Sequence, residues 1–136
     1  MNDFERHHAL KIKTEVIRSV PIEFRGDWAS IAAWLWLSPD SRGIGGGAQV
    51  YDALGYARGF TFPVQPLLQA VGKLRAVGTD LNAAPWATVL LQFGRRDEDL
   101  KLTFEMGDPY RWAVTSENYR TLIREMRPDF RRVMSY

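Results

Sequence analysis

The sequence predicts an α+β fold, in which an antiparallel sheet of about four to six strands has an N-terminal, a central and a C-terminal helix packed over one face. Two patterns support this prediction. Apolar residues recur with helical spacing in three separate segments, and side chains alternate with the period of a strand between them. The 136 residues, 46% hydrophobic and 25% charged, predict a single domain over residues 1–136, with a loose tail at 133–136.

The chain begins with a predicted helix over residues 3–20, which Pro21 ends because proline cannot continue the hydrogen-bond ladder. Its apolar stripe consists of Ala9, Ile12, Val16 and Val20. Residues 28–37 then predict a strand with two apolar faces. We therefore expect this strand to be central and covered on both sides, with Trp34 and Trp36 in the core together with Trp28 and Trp86.

A glycine-rich stretch follows this strand. Residues 38–47 contain four glycines, and we expect a mobile connection there because glycine allows backbone conformations closed to other residues. A phosphate-binding loop is disfavoured, since a Gly-Lys-Ser/Thr ending and a following helix are both missing. Alternation resumes over residues 48–62, where Gly55 and Gly59 predict a bulge or two shorter strands.

The second half of the chain continues with a helix and two strands. Helical spacing over residues 63–78 predicts the central helix, with Gly78 as its C-terminal cap. Strands are predicted over residues 86–93 and 100–106, on either side of a charged turn. In the latter strand, alternation directs four side chains to the core: Leu100, Leu102, Phe104 and Met106.

The C-terminal helix is predicted to be capped by Thr115 or Ser116 and to end before Pro128. Its apolar positions are Tyr119, Leu122, Ile123 and Met126. Arginines at 120, 124, 127, 131 and 132 form a positive ridge along this helix and the tail. Such a ridge fits an acidic protein, a phosphate backbone or a plain solvated helix face.

Composition excludes several classes of chemistry. The absence of cysteine excludes disulfides, thiolate metal sites and cysteine nucleophiles. The net charge of +2 does not require nucleic acid as a partner. The longest apolar run, residues 31–37, is far shorter than the ~20 residues of a membrane-spanning helix, and the first residues lack the pattern of a signal peptide. We therefore expect a cytoplasmic protein.

The sequence contains no recognisable catalytic motif. His7 and His8 are the only histidines, and as neighbours on a helix they point about 100° apart, so we expect a solvated helix end and no shared metal. Asp52 and Glu105 fall in strand patterns and would serve a hydrolytic site if the fold paired them. Nothing in their spacing pairs them, so we predict no catalytic residue, no cofactor and no metal site.

Several local patterns resemble one family of bacterial proteins. These patterns are residues 27–31, the glycine turn before 48–51, residues 86–91, the unit from 102–105 through 108–112, and Tyr119. Together with the order of elements, they make residues 10–128 similar to the YezG-like, or related, immunity proteins of polymorphic-toxin and contact-dependent growth inhibition systems. The Trp34/Trp36 pair and the arginine-rich tail have no counterpart in this resemblance.

The resemblance implies a protein that binds and neutralises a cognate toxin domain, commonly a nuclease, without catalysis and without direct nucleic-acid or membrane binding. We expect exposed charged turns and interface-type aromatic residues to bind this partner, with Trp112 the tryptophan that meets it. The candidate residues are Asp97, Glu98, Asp99, Asp108, Tyr110, Arg111 and Trp112. Two alternatives stay open: a regulatory interaction domain, and a small metabolite-binding or hydrolytic enzyme domain that uses strand-borne carboxylates.

Overall fold

The structure is a computed structural model that describes residues 1–78 and 85–130, and its fold is α+β. In chain order, the elements are α1 (Asp3–Arg18), β1 (Ser30–Leu37), β2 (Ile44–Tyr51), β3 (Ala57–Phe60), α2 (Leu68–Gly78), β4 (Thr88–Gly94), β5 (Leu100–Glu105) and α3 (Tyr119–Met126). Short 3-10 turns precede β1 and α2. The three predicted helices and the predicted strands are confirmed, with residues 48–62 contributing to two strands, while the tail at 133–136 lies outside the described residues.

The five strands form one antiparallel sheet in the order β3-β2-β1-β4-β5. β1 is therefore the central strand, as its two apolar faces predict. It pairs with β2 in a hairpin whose loop is residues 38–43, and with β4 after the chain has passed through α2. Because side chains alternate along a strand, β1 supplies one set of residues to each face of the sheet.

Helices α1 and α2 cover one face of the sheet, which we call the closed face. Ile31, Ala33 and Leu35 of β1 point to this face and are completely buried. They pack against an apolar stripe that is formed by Ala9, Ile12 and Val16 of α1 and by Val71 and Leu74 of α2. The stripe predicted for the first helix is therefore the one that the fold buries.

Helix α3 packs on the opposite face, so the prediction that all helices share one face is wrong. Leu122 and Met126 of α3, together with Trp112, bury Ala32 of β1 and Leu90 of β4 in a second, smaller cluster. The physical reason is the two-sided apolar character of β1, since each face needs its own cover to exclude water. With eight residues, α3 covers only part of this face.

The start of α3 also differs from the prediction. Its N-cap is Asn118, and Thr115 instead exchanges two hydrogen bonds with Asn118 in the turn before the helix. Tyr119, which was predicted to belong to the apolar stripe, is 43% exposed. Leu122 and Met126 carry the contact with the sheet, because they lie one turn apart on the side that faces it.

Residues 44–47 of the glycine-rich stretch are part of β2, so the predicted connection over residues 38–47 is wrong for its second half. In the register of the hairpin, Gly45 and Gly47 stand opposite Trp36 and Trp34. A Cβ atom on Gly45 would collide with the indole of Trp36, so these glycines leave room for the tryptophan rings. The loop between the strands thus shrinks to residues 38–43.

Beyond α3, the second face of the sheet is only partly covered, and we call its region around Trp34, Trp36, Gly45 and Gly47 the open face. Both tryptophans are half-buried, so their predicted place in the core is corrected. Trp28 and Trp86, by contrast, are buried as predicted. None of the helices within the described residues has the length and apolar character needed to cross a membrane.

Candidate partner-binding surface

The two segments predicted to bind a partner lie at opposite ends of β5. Asp97, Glu98 and Asp99 belong to the turn that joins β4 to β5, beside the Phe93–Leu100 pair of the ladder. Residues 108–112 follow the other end of β5, where Thr88 pairs with Glu105. The candidate residues therefore do not form one continuous surface.

The acids at 97–99, which we call the acidic turn, are largely neutralised by neighbouring cations. Arg96 Nη2 lies 2.7 Å from Glu98 Oε1, and Arg96 Nε lies 3.7 Å from Asp99 Oδ2. The carboxylate of Asp97 lies 3.7 Å from Lys13 Nζ. Because these charges offset one another, the turn presents less negative charge than its sequence suggests.

The acidic turn is also anchored to the protein body. Lys13 is buried between α1 and the sheet, and its Nζ donates a hydrogen bond of 3.2 Å to the carbonyl of Arg96. Burial lowers the pKa of Lys13, and the charge of Asp97 opposes that shift. Arg95 donates a 2.7 Å hydrogen bond to the carbonyl of Trp28 and stacks 4.0 Å above its ring. These contacts fix the conformation of the turn.

Residues 108–112, the second of the two predicted segments, include both exposed and buried side chains. Tyr110 is 60% exposed, and its backbone N–H donates to Asp108 Oδ1 at 2.9 Å. Trp112 is only 8% exposed, so it presents little surface to a partner, and its contact with one stays a prediction. Trp112 fills the space between α3 and Leu90, which the short helix cannot cover alone. Arg111 stacks 4.2 Å above the Trp112 ring and pairs with Glu125 of α3 at 2.6 Å.

An aromatic cleft lies where this segment meets the end of β1. The rings of Trp36 and Tyr110 meet edge to face, with centroids 6.1 Å apart. Met106, which was predicted to face the core, is 53% exposed here because β5 ends at Glu105. The cleft has a volume of about 380 Å³. Its main lining residues are Trp36, Pro39, Trp86, Met106, Pro109 and Tyr110.

Arg75 of α2 holds one wall of the aromatic cleft in place. Its guanidinium donates hydrogen bonds to the carbonyls of Leu37 at 3.1 Å and Ser38 at 2.8 Å, and to Ser41 Oγ at 2.6 Å. Burial lowers the pKa of Arg75, and Asp40 opposes the shift. The loop that carries Pro39 into the cleft is thus clamped to α2, and the cleft is largely pre-formed.

Two acidic residues, Glu105 and Asp108, are next in sequence to residues that line the aromatic cleft. Glu105 Oε1 accepts a hydrogen bond of 3.3 Å from the N–H of Gly107, a lining residue. Asp108 is exposed and directly precedes the lining residue Pro109. We call these two carboxylates the acidic rim, because each residue is next in sequence to one that lines the cleft. The lining itself also contains the guanidinium of Arg75.

The strand-borne acids are not paired by the fold. Asp52 lies in the turn between β2 and β3, where its Oδ1 accepts hydrogen bonds from the N–H groups of Leu54 and Tyr56. Glu105 ends β5, at the other edge of the sheet. Within residues 1–78 and 85–130, no group of three or more His, Asp or Glu side chains could hold a metal ion.

Among the main lining residues of the aromatic cleft, sequence reasoning predicted only Tyr110 as a site residue, and it missed Trp36 and Met106 in particular. A signal for Trp36 was present, because two tryptophans in alternate positions precede two glycines in alternate positions across a short loop. When large aromatic residues of one strand are paired with glycines of the next, the rings can lie flat over the glycines on the surface of the sheet. For Met106 there was no such signal, since alternation alone does not mark where a strand ends.

No protein-family model matches this sequence, and no curated protein is significantly similar to it.

Proposed function

We propose that this protein is a cytoplasmic immunity protein that binds a cognate toxin domain through the aromatic cleft and neutralises it. The observation that carries the proposal is the group of exposed aromatic and thioether side chains at one end of a rigid sheet. Tyr110 and Met106 are more than half exposed, and Trp36 lies beside them. Aromatic residues and methionine are enriched in the cores of protein interfaces.

The scaffold of the cleft suits tight binding. Trp36 projects from the central strand, and the Arg75 hydrogen bonds hold the facing loop. A pre-formed site loses little conformational entropy when a partner binds, so more of the contact energy appears as affinity. Apolar side chains grouped at one exposed site are also typical of a surface that a partner covers.

The acidic rim favours a basic partner. Glu105 and Asp108 are next in sequence to the lining residues Met106, Gly107 and Pro109, and they carry the negative charge of this segment. A nuclease toxin needs a basic surface to bind the phosphate backbone of its nucleic-acid substrate. That basic surface would be complementary in charge to the acidic rim. The acidic turn, whose charges are offset by Arg96 and Lys13, contributes less to such an interaction.

Growth rescue tests the function as a whole. Co-expression of this protein with the toxin domain encoded next to its gene should restore growth of a sensitive cell, because the toxin is bound as it forms. Failure of the wild-type protein to rescue growth, with both proteins expressed, would reject the immunity function.

Substitution of Tyr110 tests the site. We expect Tyr110→Ala to weaken toxin binding about thirtyfold, which corresponds to about 2 kcal/mol for an interface hot spot. Tyr56→Ala is the matched control, because Tyr56 is also exposed, at 71%, but lies in the β2–β3 turn and does not line the cleft. Titration calorimetry gives both affinities, and equal losses for the two variants would remove the cleft from the proposal.

The size of the cleft favours one further candidate, a small-molecule site. A volume of about 380 Å³ falls within the range of ligand pockets, and its aromatic lining suits a planar apolar ligand. Native mass spectrometry of the purified protein separates the two functions. A bound metabolite that the Tyr110→Ala variant loses would favour the small-molecule site over the toxin interface.

A further inference from the structure

A second groove lies between α1 and α2, on the closed-face side of the molecule. His8, Lys11 and Glu15 line it from α1, with the three- and four-residue spacing of one helix face. Gln69 and Lys73 of α2 line the other side. The groove has a volume of about 280 Å³. We call it the α1–α2 groove.

Positive charge dominates the α1–α2 groove. Lys11 and Lys73 reach it from opposite helices, and neither forms an ion pair or hydrogen bond with any residue that the structure describes. Glu15 is the single acid among the lining residues, and it pairs with Arg18 at 3.1 Å. Neither ammonium group is therefore paired with Glu15, the one acid that lines the groove with them.

His8 adds a buried polar atom to this positive field. Its side chain is 4% exposed, and the ring contacts those of Phe4 and His7, with centroids 4.4 Å and 5.2 Å away. Its Nδ1 is buried and has no hydrogen-bond partner within the described residues. Such an atom in a native protein calls for a ligand or water, because an unsatisfied buried polar group costs about 1–3 kcal/mol. His8 was predicted to be solvated, and that prediction is wrong.

We propose that the α1–α2 groove binds a phosphate-type oxyanion between Lys11 and Lys73, with the His8 imidazole as a hydrogen-bond donor to it. A doubly charged oxyanion offsets both ammonium groups, and lysine binds phosphate as a mobile point charge. The amide of Gln69 offers a further donor from α2. The proposal does not depend on the toxin-binding function, because the groove and the aromatic cleft share no lining residue.

His8 itself reports on occupancy. Without an anion, its pKa is lowered first by burial and then by the charges of His7, Lys11 and Lys73. An oxyanion in the groove offsets the charges of Lys11 and Lys73 and accepts a hydrogen bond from a ring N–H, which stabilises the protonated ring and so raises the pKa of His8. The ring signals of His8, followed by NMR over a pH series, therefore measure binding directly.

The experiment compares inorganic phosphate with chloride at constant ionic strength, with the full-length protein in both. We expect phosphate to raise the pKa of His8 by about one pH unit, which is a tenfold gain in proton affinity. An acetate arm separates phosphate from carboxylate recognition. The same pKa in phosphate and chloride would overturn the proposal, and an equal response to acetate would overturn its assignment to phosphate.

Two lysine variants complete the test. In chloride, Lys73→Ala should raise the pKa of His8, because one repelling charge is gone, and it should also abolish the response to phosphate. Lys101→Ala is the control, since Lys101 is exposed on β5 and lies outside the groove. An unchanged phosphate response in Lys73→Ala would contradict the site, and the amide spectrum shows that each variant is folded.

Discussion

The closed face and the open face of the sheet use the same central strand for different purposes. On the closed face, α1 and α2 bury Ile31, Ala33 and Leu35 completely. On the opposite face, the short α3 leaves Trp34 and Trp36 half-buried. Because side chains alternate along a strand, one residue of β1 can stabilise the core while the next is available for surface recognition.

The strongest test of this division compares adjacent residues of β1. We expect Leu35→Ala to lower the free energy of unfolding by about 3 kcal/mol, because it leaves a cavity in a completely buried site. Trp36→Ala should lower it by only about 1 kcal/mol, since solvent already reaches that ring. Urea denaturation measures both. Equal losses would show that the open face contributes to stability as much as the closed face.

Glycines of β2 give a second matched pair. A Cβ on Gly46, on the closed face, would meet the backbone carbonyl of Trp34, which cannot move aside. We expect Gly46→Ala to destabilise the protein by about 2 kcal/mol through overpacking. Gly47→Ala would meet only the Trp34 side chain at 3.1 Å and should cost less than half as much. Thermal unfolding of both variants checks the order, and the reverse order would contradict it.

The attachment of α3 is the next feature to test. The Tyr51 hydroxyl donates a 2.6 Å hydrogen bond to the carbonyl of Ile123, and Gln92 Nε2 donates one of 2.7 Å to the carbonyl of Met126. Sheet side chains thus satisfy carbonyls at the end of a short helix, which have no partner within it.

Tyr51→Phe should therefore lower the free energy of unfolding by about 1 kcal/mol and speed hydrogen exchange in α3 while α1 stays protected. Tyr56→Phe removes the same group from an exposed side chain and should change neither quantity. Faster exchange throughout the protein in Tyr51→Phe would show that α3 does not open independently of the closed face.

The smallest expected effect is a pH dependence from His8. Its pKa is lowered in the folded protein, so the unfolded chain binds a proton more readily as the pH falls through about 6.5. Stability from neutral His8 is therefore fully present above that pH, declines as the pH falls, and levels off below the folded-state pKa. Urea denaturation in chloride buffers should show that His8→Gln reduces this decline. An unchanged decline would assign it to other groups.

The sequence predicts the elements well because their signals are local. Because both alternating sets of β1 side chains are apolar, the sequence placed this strand at the centre of the sheet. Helical spacing identified the buried apolar stripe of α1, although it did not reveal the burial of His8 and Lys13. Burial on the second face was harder to predict. The place of Trp112 depends on α3 and Leu90, which are distant in sequence, and no local pattern of Tyr110, Arg111 and Trp112 reveals which of them is buried.

The conformation of the β2 glycines and the burial of Lys13 also depend on tertiary contacts. The glycines of β2 favour a loop by their intrinsic preference, but cross-strand contact with Trp34 and Trp36 overrides it. Lys13 is polar, yet the carbonyl of Arg96 and the ring of Phe93 give its ammonium group a buried site that composition cannot reveal. For the candidate site, the sequence identified Tyr110 and Asp108, while Trp36 and Met106 required the fold.

The pairing of β1 with β4 has a consequence for folding kinetics. Hairpins β1–β2 and β4–β5 each join segments that are close in the chain, whereas β1 meets β4 only after the chain has passed through β2, β3 and α2. Closing so long a segment costs conformational entropy before any contact compensates for it, so this step should set the folding rate. The Leu35–Val89 pair lies at that junction, on the face that the helices then cover. Substitutions at Leu35 or Val89 are therefore expected to slow folding.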